Sequence, residues 1–480
     1  MLSYRFRWVF CQLDTLQHCF PPNLRQFLNE LPETLDETYE RMLRGINKAQ
    51  KDNAHRLLQC LAVAVRPLRV EELAELLAFD FHASSSGGIP TLKEDWRWDD
   101  EEEAVLSTCS SLISIVHSDD SRVVQFSHFS VKEYLTSPRL AQSHGDVSRF
   151  YIDLDAAHMV MVQACLGTLL QLDEHTGDRG GNGLPLVKYA AEHWAEHAQF
   201  QNVPSGVRAG IDDLFDTSKP HFAAWLQVHD MDEVWYFFSP FAPYDKGSSL
   251  YYAALCGLYD LAERLIAKYP EQVNAVGGLL VAPLPAALYK RHFRLADLLH
   301  EHGAIVDVCG DQEKTLLHCA PSDTMRWLLD HGADVNNRRD IGHTPLHTTA
   351  VSRNLEAVEL LLDHNADVNS RDKYGDTPLS LILCVHSILG HEEEMQTDLV
   401  QRLLEHGADP NAGPDGATPL HQCSFYGLLK VARLLLSYGA KVDVDEKKEK
   451  GKTPVQVASE RGHHEIAKLL SEHVAVPPPL

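Results

Sequence analysis

Four variants of one six-residue phrase recur in the second half of the chain: His331-Gly332-Ala333-Asp334-Val335-Asn336, His364-Asn365-Ala366-Asp367-Val368-Asn369, His406-Gly407-Ala408-Asp409-Pro410-Asn411 and Tyr438-Gly439-Ala440-Lys441-Val442-Asp443. Each follows a Thr-Pro-Leu box or its relic. The boxes begin at Thr315, Thr344, Thr377, Thr418 and Thr453, with fainter versions at Ser248 and Ala282. A period near 33 residues dictates an array of like units, because self-similarity at that spacing belongs to repeat architectures.

The residue types explain the period. Thr344 can cap a helix, Pro345 gives up no hydrogen bond in the first turn, and Leu346 begins an apolar face. Leu355, Val358, Leu361 and Leu362 return at helical spacing and predict a second helix, ending where Asn365 stands. Equivalent stops hold Gly303, Gly332, Gly407 and Gly439, and Gly and Asn best tolerate a left-handed helix end. One such helix pair cannot bury its stripe alone, so neighbours must stack into a solenoid. This pattern, with Thr344-Pro345-Leu346-His347 and Thr418-Pro419-Leu420-His421 intact, resembles the ankyrin repeat. The resemblance implies about seven repeats over residues 246–474, the first two degenerate, then a short disordered tail at 475–480. The last unit carries Glu460, Arg461, His463, His464, Glu465 and Lys468, which suits a polar cap. Two spacings depart from the period: Thr315 to Thr344 is 29 residues and Thr377 to Thr418 is 41, with the excess expected in 386–398 around Glu392-Glu393-Glu394.

The first 245 residues show no repeat. Helices are expected over 35–46, 53–65, 71–79, 103–112 and 129–136, with a flexible Ser84-Ser85-Ser86-Gly87-Gly88 interruption. Leu112 to Val116 and Arg122 to Phe126 flank Ser118-Asp119-Asp120-Ser121 and read as a hairpin. Helices followed by a two-stranded hairpin suggest a winged helix. Two further helices are expected over 156–172 and 186–200, separated by a Gly-rich turn at 177–183.

Three segments here resemble those that follow the ATPase core in fungal NACHT–ankyrin proteins of the NOD-like class: Phe6 to Leu13, Leu31 to Arg41, and Gln125-Phe126-Ser127-His128-Phe129-Ser130-Val131-Lys132-Glu133-Tyr134-Leu135. The resemblance implies a mainly α chain: a helical remnant at 1–65, a winged-helix-like domain at 66–145, a helical connector at 146–245 and the ankyrin solenoid. It places the start of the chain past the nucleotide-binding half. The only Gly-Lys-Thr is Gly451-Lys452-Thr453, with Glu446 where a P-loop needs its first Gly, so no phosphate cradle is expected. In that family the His of a Phe-x-His motif approaches the β-phosphate of ADP. Phe126-Ser127-His128 matches, so the resemblance makes His128 a cofactor-binding candidate only beside an ATPase core; by its position alone His128 fixes the turn between hairpin and helix.

Other chemistry fails on spacing. His193-Trp194-Ala195-Glu196-His197 places two imidazoles one turn apart but lacks the Glu after the first His, and reads as a solvated helix face rather than a metal site. His318, His347 and His421 are expected to bond loop to helix within their own repeats. No nucleophile elbow is present, so no enzyme, metal or cofactor is expected of the chain itself. The aromatic run Phe222, Trp225, Leu226, Val234, Trp235, Tyr236, Phe237 and Phe238 is expected to pack the connector against the first repeat.

A formal charge of −25 excludes sequence-independent nucleic-acid binding and favours basic partner surfaces. No stretch reaches the roughly 20 apolar residues of a membrane helix. The ten cysteines form no C-x-x-C pair, as expected of an intracellular, cytoplasmic protein with reduced thiols. Function is expected in the residues that differ between repeats: Asp340, Ile341, His343, Lys373, Tyr374 and Asp376 in the finger loops, and Val351, Ser352, Phe425 and Tyr426 on first helices. These predict non-catalytic protein binding, as a scaffold or sensor arm. The alternatives are the regulatory and sensor fragment of a nucleotide-switched NACHT ATPase, or an adaptor for a modifying enzyme.

Overall fold

The computed structural model describes residues 34–81, 88–118, 121–143, 145–173, 183–200, 203–231, 246–309, 315–339, 341–384, 393–414, 417–442 and 452–474. The Phe6 to Leu13 segment, most of the Ser84–Gly88 interruption and of the 177–183 turn, Val234 to Phe238, Asp340, part of the 386–398 insertion, and Gly451 lie outside the described residues. The chain forms two compact units, Met1–Ala242 with Cys256–Leu261, and Pro243–Leu255 with Ala262–Leu480.

In the first unit, Thr34 opens helix α1 (Leu35–Gly45) with a reciprocal cap: its hydroxyl accepts the Glu37 N–H at 3.2 Å and Glu37 accepts the Thr34 N–H at 3.3 Å. Helix α2 (Lys51–Val63) follows, then strand β1 (Leu68–Arg69), helix α3 (Val70–Glu75) with a 3-10 turn at Leu76–Ala78, and the short antiparallel pair β2 (Phe79–Asp80) and β3 (Thr91–Leu92). Helix α4 (Glu101–Cys109) leads into the hairpin β4 (Ile113–Ser118) and β5 (Ser121–Phe126), registered Ile113 to Phe126 through Ser118 to Ser121. Helices α5 (Phe129–Leu135) and α6 (Pro138–Ala141) close the domain. The sheet has three strands, not two: β1 pairs with β5 through Leu68–Val124 and Arg69–Val123, giving the order β1-β5-β4. A two-residue strand carries no periodicity, so only its pairing reveals it. Leu57, Leu68, Val70, Leu73, Val105, Val124 and Val131 are buried, giving the winged helix a shared core between sheet and helices.

Helix α7 (Leu154–Leu169) buries Met161, Val162, Cys165 and Leu166 and packs against α2, α8 (Val187–Ala198) and α9 (Val203–Leu214). Helix α10 (Pro220–Val228) completes this bundle, and neither α9 nor α10 is foreseen in the sequence reading. Of the aromatic run, Phe222, Trp225 and Leu226 are among the described residues. Phe222 and Trp225 pack inside the bundle against Phe215 and Trp194, with ring centroids 5.4 to 6.1 Å apart, and the Trp225 indole N–H donates to Ala191 O at 3.0 Å. The solvated-face reading of 193–197 fails. His197 is fully buried, with Nε2 2.9 Å from the Tyr189 hydroxyl and Nδ1 2.8 Å from His158 Nδ1, and burial first, then the neighbouring His158, lowers its pKa to about 3. Buried groups with charge-free partners stay neutral.

The second unit is a stack of helix pairs: α11 (Ser249–Leu255) with α12 (Tyr259–Lys268), α13 (Pro283–Tyr289) with α14 (Phe293–Glu301), a 3-10 turn (Leu316–His318) with α15 (Ser322–Asp330), α16 (Pro345–Ser352) with α17 (Leu355–Asp363), α18 (Pro378–Cys384) with α19 (Glu393–Glu405), α20 (Pro419–Tyr426) with α21 (Leu429–Ser437), and α22 (Pro454–Arg461) with α23 (His464–Val474). The 29-residue spacing has a definite structural consequence: the first helix shrinks to a single 3-10 turn because Pro321 already opens the second. Gly303, Gly332, Asn365, Gly407 and Gly439 all take positive φ, between 63° and 87°, as the helix-stop reading requires.

The boxed histidines do more than bond within their repeats. Nδ1 of His347 accepts the Thr344 N–H at 3.1 Å, while Nε2–H donates onward to Asp376 O at 3.2 Å in the next finger. His318 reaches His343 O and His421 reaches Lys452 O in the same way, both at 3.1 Å. A second ladder runs through the last residue of each phrase. Side-chain oxygens of Asn274, Asp307, Asn336, Asn369 and Asn411 accept the N–H of Ile305, Asp334, Asp367, Asp409 and Lys441 at 2.7 to 2.9 Å. Neighbouring repeats are therefore tied by directional bonds as well as by apolar packing.

Candidate protein-binding groove

The finger loops arise from tight turns. Gly342 (φ 81°) and Gly375 (φ 85°) each close one, and a Cβ on Gly342 would stand 3.1 Å from the Lys373 nitrogen, so this approach requires glycine. The two fingers are joined: Lys373 N–H donates to Ile341 O at 3.1 Å. Beneath them Arg338 donates to Arg371 O at 2.6 Å, and Arg371 to Gly413 O at 3.2 Å, one repeat further along.

Between the fingers lies a polar chain. Arg339 donates to His343 Nδ1 at 2.8 Å, and His343 Nε2–H donates to Asp372 Oδ2 at 3.1 Å. Asp372 is buried and its other oxygen accepts the Tyr374 and Asp376 N–H groups at 2.9 and 2.8 Å. Burial, then the Arg339 charge, holds the His343 pKa below its ordinary value. Burial likewise raises that of Asp376, whose Oδ1 accepts the Ser380 hydroxyl at 2.7 Å. His343 and Asp376 thus belong to the scaffold of the fingers as much as to their surface. Ile341 is half-buried, Lys373 is exposed, and Tyr374 stands 68% exposed at the tip, its backbone pinned by Asp372.

The first-helix candidates occupy a different place. Val351 and Phe425 hold the same register on α16 and α20, with Cys384 between them on α18. Phe425 is 36% exposed, meets Tyr426 edge-on with centroids 4.9 Å apart, and lies under the Arg461 guanidinium at 3.6 Å. Ser352 is exposed, and its hydroxyl donates to Thr349 O at 3.0 Å. These residues sit on last turns, about 10 Å along the helix axis from the fingers that precede the first turns. The structure therefore brings Ile341, His343, Lys373, Tyr374 and Asp376 together in one cluster and Phe425 and Tyr426 in another. Arg461, missed in the sequence, joins the second; its position one repeat beyond Tyr426 was the available signal.

His128, the remaining site candidate, is the N-cap of α5: Nδ1 accepts the Ser130 N–H at 3.2 Å and lies 2.6 Å from the Ser130 hydroxyl, which bonds the Tyr39 hydroxyl at 2.8 Å. Among the described residues no group of His, Cys, Asp and Glu is arranged to hold a metal ion, and no helix is long and apolar enough to cross a membrane.

Comparison with known proteins matches both units. Residues 322–412 and 391–477 match the ankyrin-repeat profile, and residues 39–147 match that described as "GPI inositol-deacylase, winged helix domain". The chain is 32% identical over 301 residues to azaphilone pigments biosynthesis cluster protein L of Monascus ruber, covering 58% of this chain and 61% of that protein. It is 34% identical over 208 residues to ankyrin repeat and SOCS box protein 16 of Homo sapiens, covering 42% of this chain and 45% of that one. It thus spans less than two thirds of either relative. The crystal structure of the ankyrin repeat domain of Bcl-3, described as a member of the IkappaB family, aligns over 47% of this chain and 99% of that chain at 28% identity and a TM-score of 0.41, too distant to argue from. From its own helix pairs and these matches, the chain carries a winged-helix domain similar to that of GPI inositol-deacylase and, after a helical bundle, ankyrin repeats.

Proposed function

We propose that the chain is a non-catalytic, intracellular protein-binding protein, acting as the scaffold or sensor arm of a NOD-like signalling assembly, and that its repeats bind a protein partner through the finger cluster and the Phe425 to Arg461 cluster. The observation that carries this is the setting of Tyr374. A large aromatic side chain is left 68% exposed on a finger whose backbone N–H groups from Lys373 to Asp376 are all bonded. Exposed aromatics on rigid elements are the anchors that dominate interface energies. Asp340, at the tip of the preceding finger, is assigned to the same surface on its sequence position.

A second reading has its own support. The profile match at 39–147 covers the segment that resembles the region following a NACHT core, so the chain can instead serve as the regulatory part of a nucleotide-switched ATPase supplied by another polypeptide. In that case His128, with Nδ1 committed to the cap, would meet phosphate through Nε2.

The deciding experiment is quantitative affinity capture from the native cell with the full chain and with a Tyr374→Ala, Phe425→Ala double variant. The proposal expects a defined set of captured proteins to fall away in the variant while its melting profile is unchanged. Identical captured sets would place the partner surface elsewhere, and co-capture of an ATPase independent of these two residues would favour the second reading.

A further inference from the structure

Outside the repeats, the run Glu94-Asp95-Trp96-Arg97-Trp98-Asp99-Asp100-Glu101-Glu102-Glu103 leaves two tryptophans in water, Trp96 46% and Trp98 44% exposed. The residue between them is held inward. Arg97 turns inward to Glu75, Nη2 to Oε1 at 2.5 Å, and Glu75 is itself buried and accepts the Leu186 N–H at 2.7 Å. Arg97 has extended backbone angles, φ −69° and ψ 141°, and in an extended segment neighbours point to the opposite side. Anchoring Arg97 therefore turns Trp98 outward, while Trp96 ends the 3-10 turn Glu94–Trp96 with its indole exposed.

The carboxylates divide by role. Asp100 caps α4 by accepting the Glu103 N–H at 3.0 Å, and Glu101 and Glu102 lie 3.5 and 3.1 Å from Arg122, all in a first helical turn that favours negative charge. Glu94 and Asp95 open the 3-10 turn Glu94–Trp96, and Asp99 lies between Trp98 and the capping Asp100. These three flank the indoles in solvent, and among the described residues no cation pairs with them.

We propose that Trp96 and Trp98, with Glu94, Asp95 and Asp99, form a docking surface for an arginine-rich segment of a partner protein. An indole face attracts a cation, and arginine uniquely stacks its planar guanidinium on the ring while forking to a nearby carboxylate. The acidic surround repels nucleic acid and supplies the opposite charge that such a segment needs. This surface lies in the first unit and is independent of the proposed repeat groove.

The test uses the full chain labelled with fluorotryptophan and read by fluorine NMR, with the Trp96 and Trp98 signals assigned by single Trp→Phe changes. The probe is a short peptide of alternating glycine and arginine, with its lysine counterpart as comparison. The proposal expects saturable shifts of the two signals with the arginine peptide, weaker binding of the lysine peptide, and roughly tenfold lower affinity for Trp96→Ala, Trp98→Ala measured by calorimetry. Unmoved signals of the buried Trp194 and Trp225 show that the variants remain folded. Silent Trp96 and Trp98 signals, or equal binding of both peptides that high salt abolishes, would overturn it as diffuse attraction to an acidic chain. Signals that move with protein concentration alone would assign the surface to a second copy of this chain and also overturn it.

Discussion

Asn369 Oδ1 accepts the Asp409 N–H at 2.8 Å across forty residues, the same length as the Asn336 bond to Asp367 across thirty-one. The long repeat is thus closed by the same ladder as its neighbours. Asn369 also donates through Nδ2 to Gly407 O at 2.9 Å, so one side chain holds both ends of the turn. Asn369→Ala is expected to cost about 1–2 kcal/mol despite an exposed position, because two side chain to backbone bonds are lost together. Asn369→Asp keeps the acceptor, loses the donor and should fall between. Urea midpoints of the three proteins check this, and an Asp variant as damaged as Ala would show that the Asp409 bond contributes little.

The same ladder predicts tolerance next door. With both ends of the long repeat fixed at Asn369 and Asp409, shortening the chain between Cys384 and Glu393 changes mainly loop-closure entropy, which varies slowly with length. Removal of 386–391 should move the thermal midpoint of the array by an amount equivalent to less than about 1 kcal/mol. A large fall would mean that the insertion packs on the repeats.

Acid should loosen the array through its histidine links. Burial lowers His347 from 6.5 to about 4, so the folded form keeps a neutral ring with Nε2–H donating to Asp376 O. Between those values the unfolded chain binds a proton that the folded chain refuses. Its stabilising contribution is therefore complete above pH 6.5 and is lost as pH falls toward about 4, on the order of 3 kcal/mol over the interval. His343 is lowered as well and acts in the same direction. The last box supplies a control, since Gln456 occupies the His position and its Oε1 accepts the Thr453 N–H at 3.0 Å. His347→Gln should be less stable than the native chain near neutrality by about 1 kcal/mol, with the difference shrinking below pH 6.5 and reversing by about pH 5. A constant difference in denaturant midpoint across that range would remove His347 from the pH response.

The sequence exposed those features that repeat or alternate. Box spacing located the helix pairs, and the Gly and Asn stops predicted the left-handed φ values at Gly303 to Gly439. Hydrophobic alternation located the hairpin, but β1 is two residues long and is defined only by its pairing with Val123 and Val124. Helix α10 was hidden because its aromatic residues read as a cluster rather than as a period. The burial of His197 was hidden because its partners Tyr189 and His158 approach in three dimensions. For the groove, sequence could nominate the unlike residues between repeats, yet not that His343 and Asp376 are partly consumed by Asp372 and Ser380.

One repeat carries a substitution that should be improvable. Arg353 takes φ 56° and ψ 32° at the end of α16, where α20 and α22 place Gly427 and Gly462 at 82° and 80°. It is only 9% exposed, and neither terminal nitrogen finds an acceptor, whereas Arg291, left-handed in an earlier repeat, is ion-paired with Asp323. Left-handed backbone costs a non-glycine residue roughly 1–2 kcal/mol, and a buried guanidinium without an acceptor adds to that. Arg353→Gly is expected to stabilise the array by about 1 kcal/mol after the loss of the packed side-chain stem. A lower thermal midpoint for the glycine variant would show that this stem outweighs both penalties.

His128 links the hairpin to α5 and α1 through a single directed chain. The Tyr39 hydroxyl donates to Ser130 Oγ at 2.8 Å, and the Ser130 hydroxyl donates to His128 Nδ1 at 2.6 Å. The same nitrogen accepts the Ser130 N–H, an orphan donor of the helix start. His128→Ala should therefore destabilise the winged-helix unit by about 1 kcal/mol or somewhat more, since it strips both a cap and the acceptor of the Ser130 hydroxyl. His128→Asn restores an N-cap acceptor and should recover most of the loss, whereas a role in holding phosphate would not be rescued by a neutral amide. Hydrogen exchange at the Ser130 and Val131 amides reads the cap directly: faster exchange in the Ala variant, near-native exchange in the Asn variant. Equal protection in all three proteins would mean that α5 is held by its packing against Tyr39 and β5, and that the imidazole is available for another task.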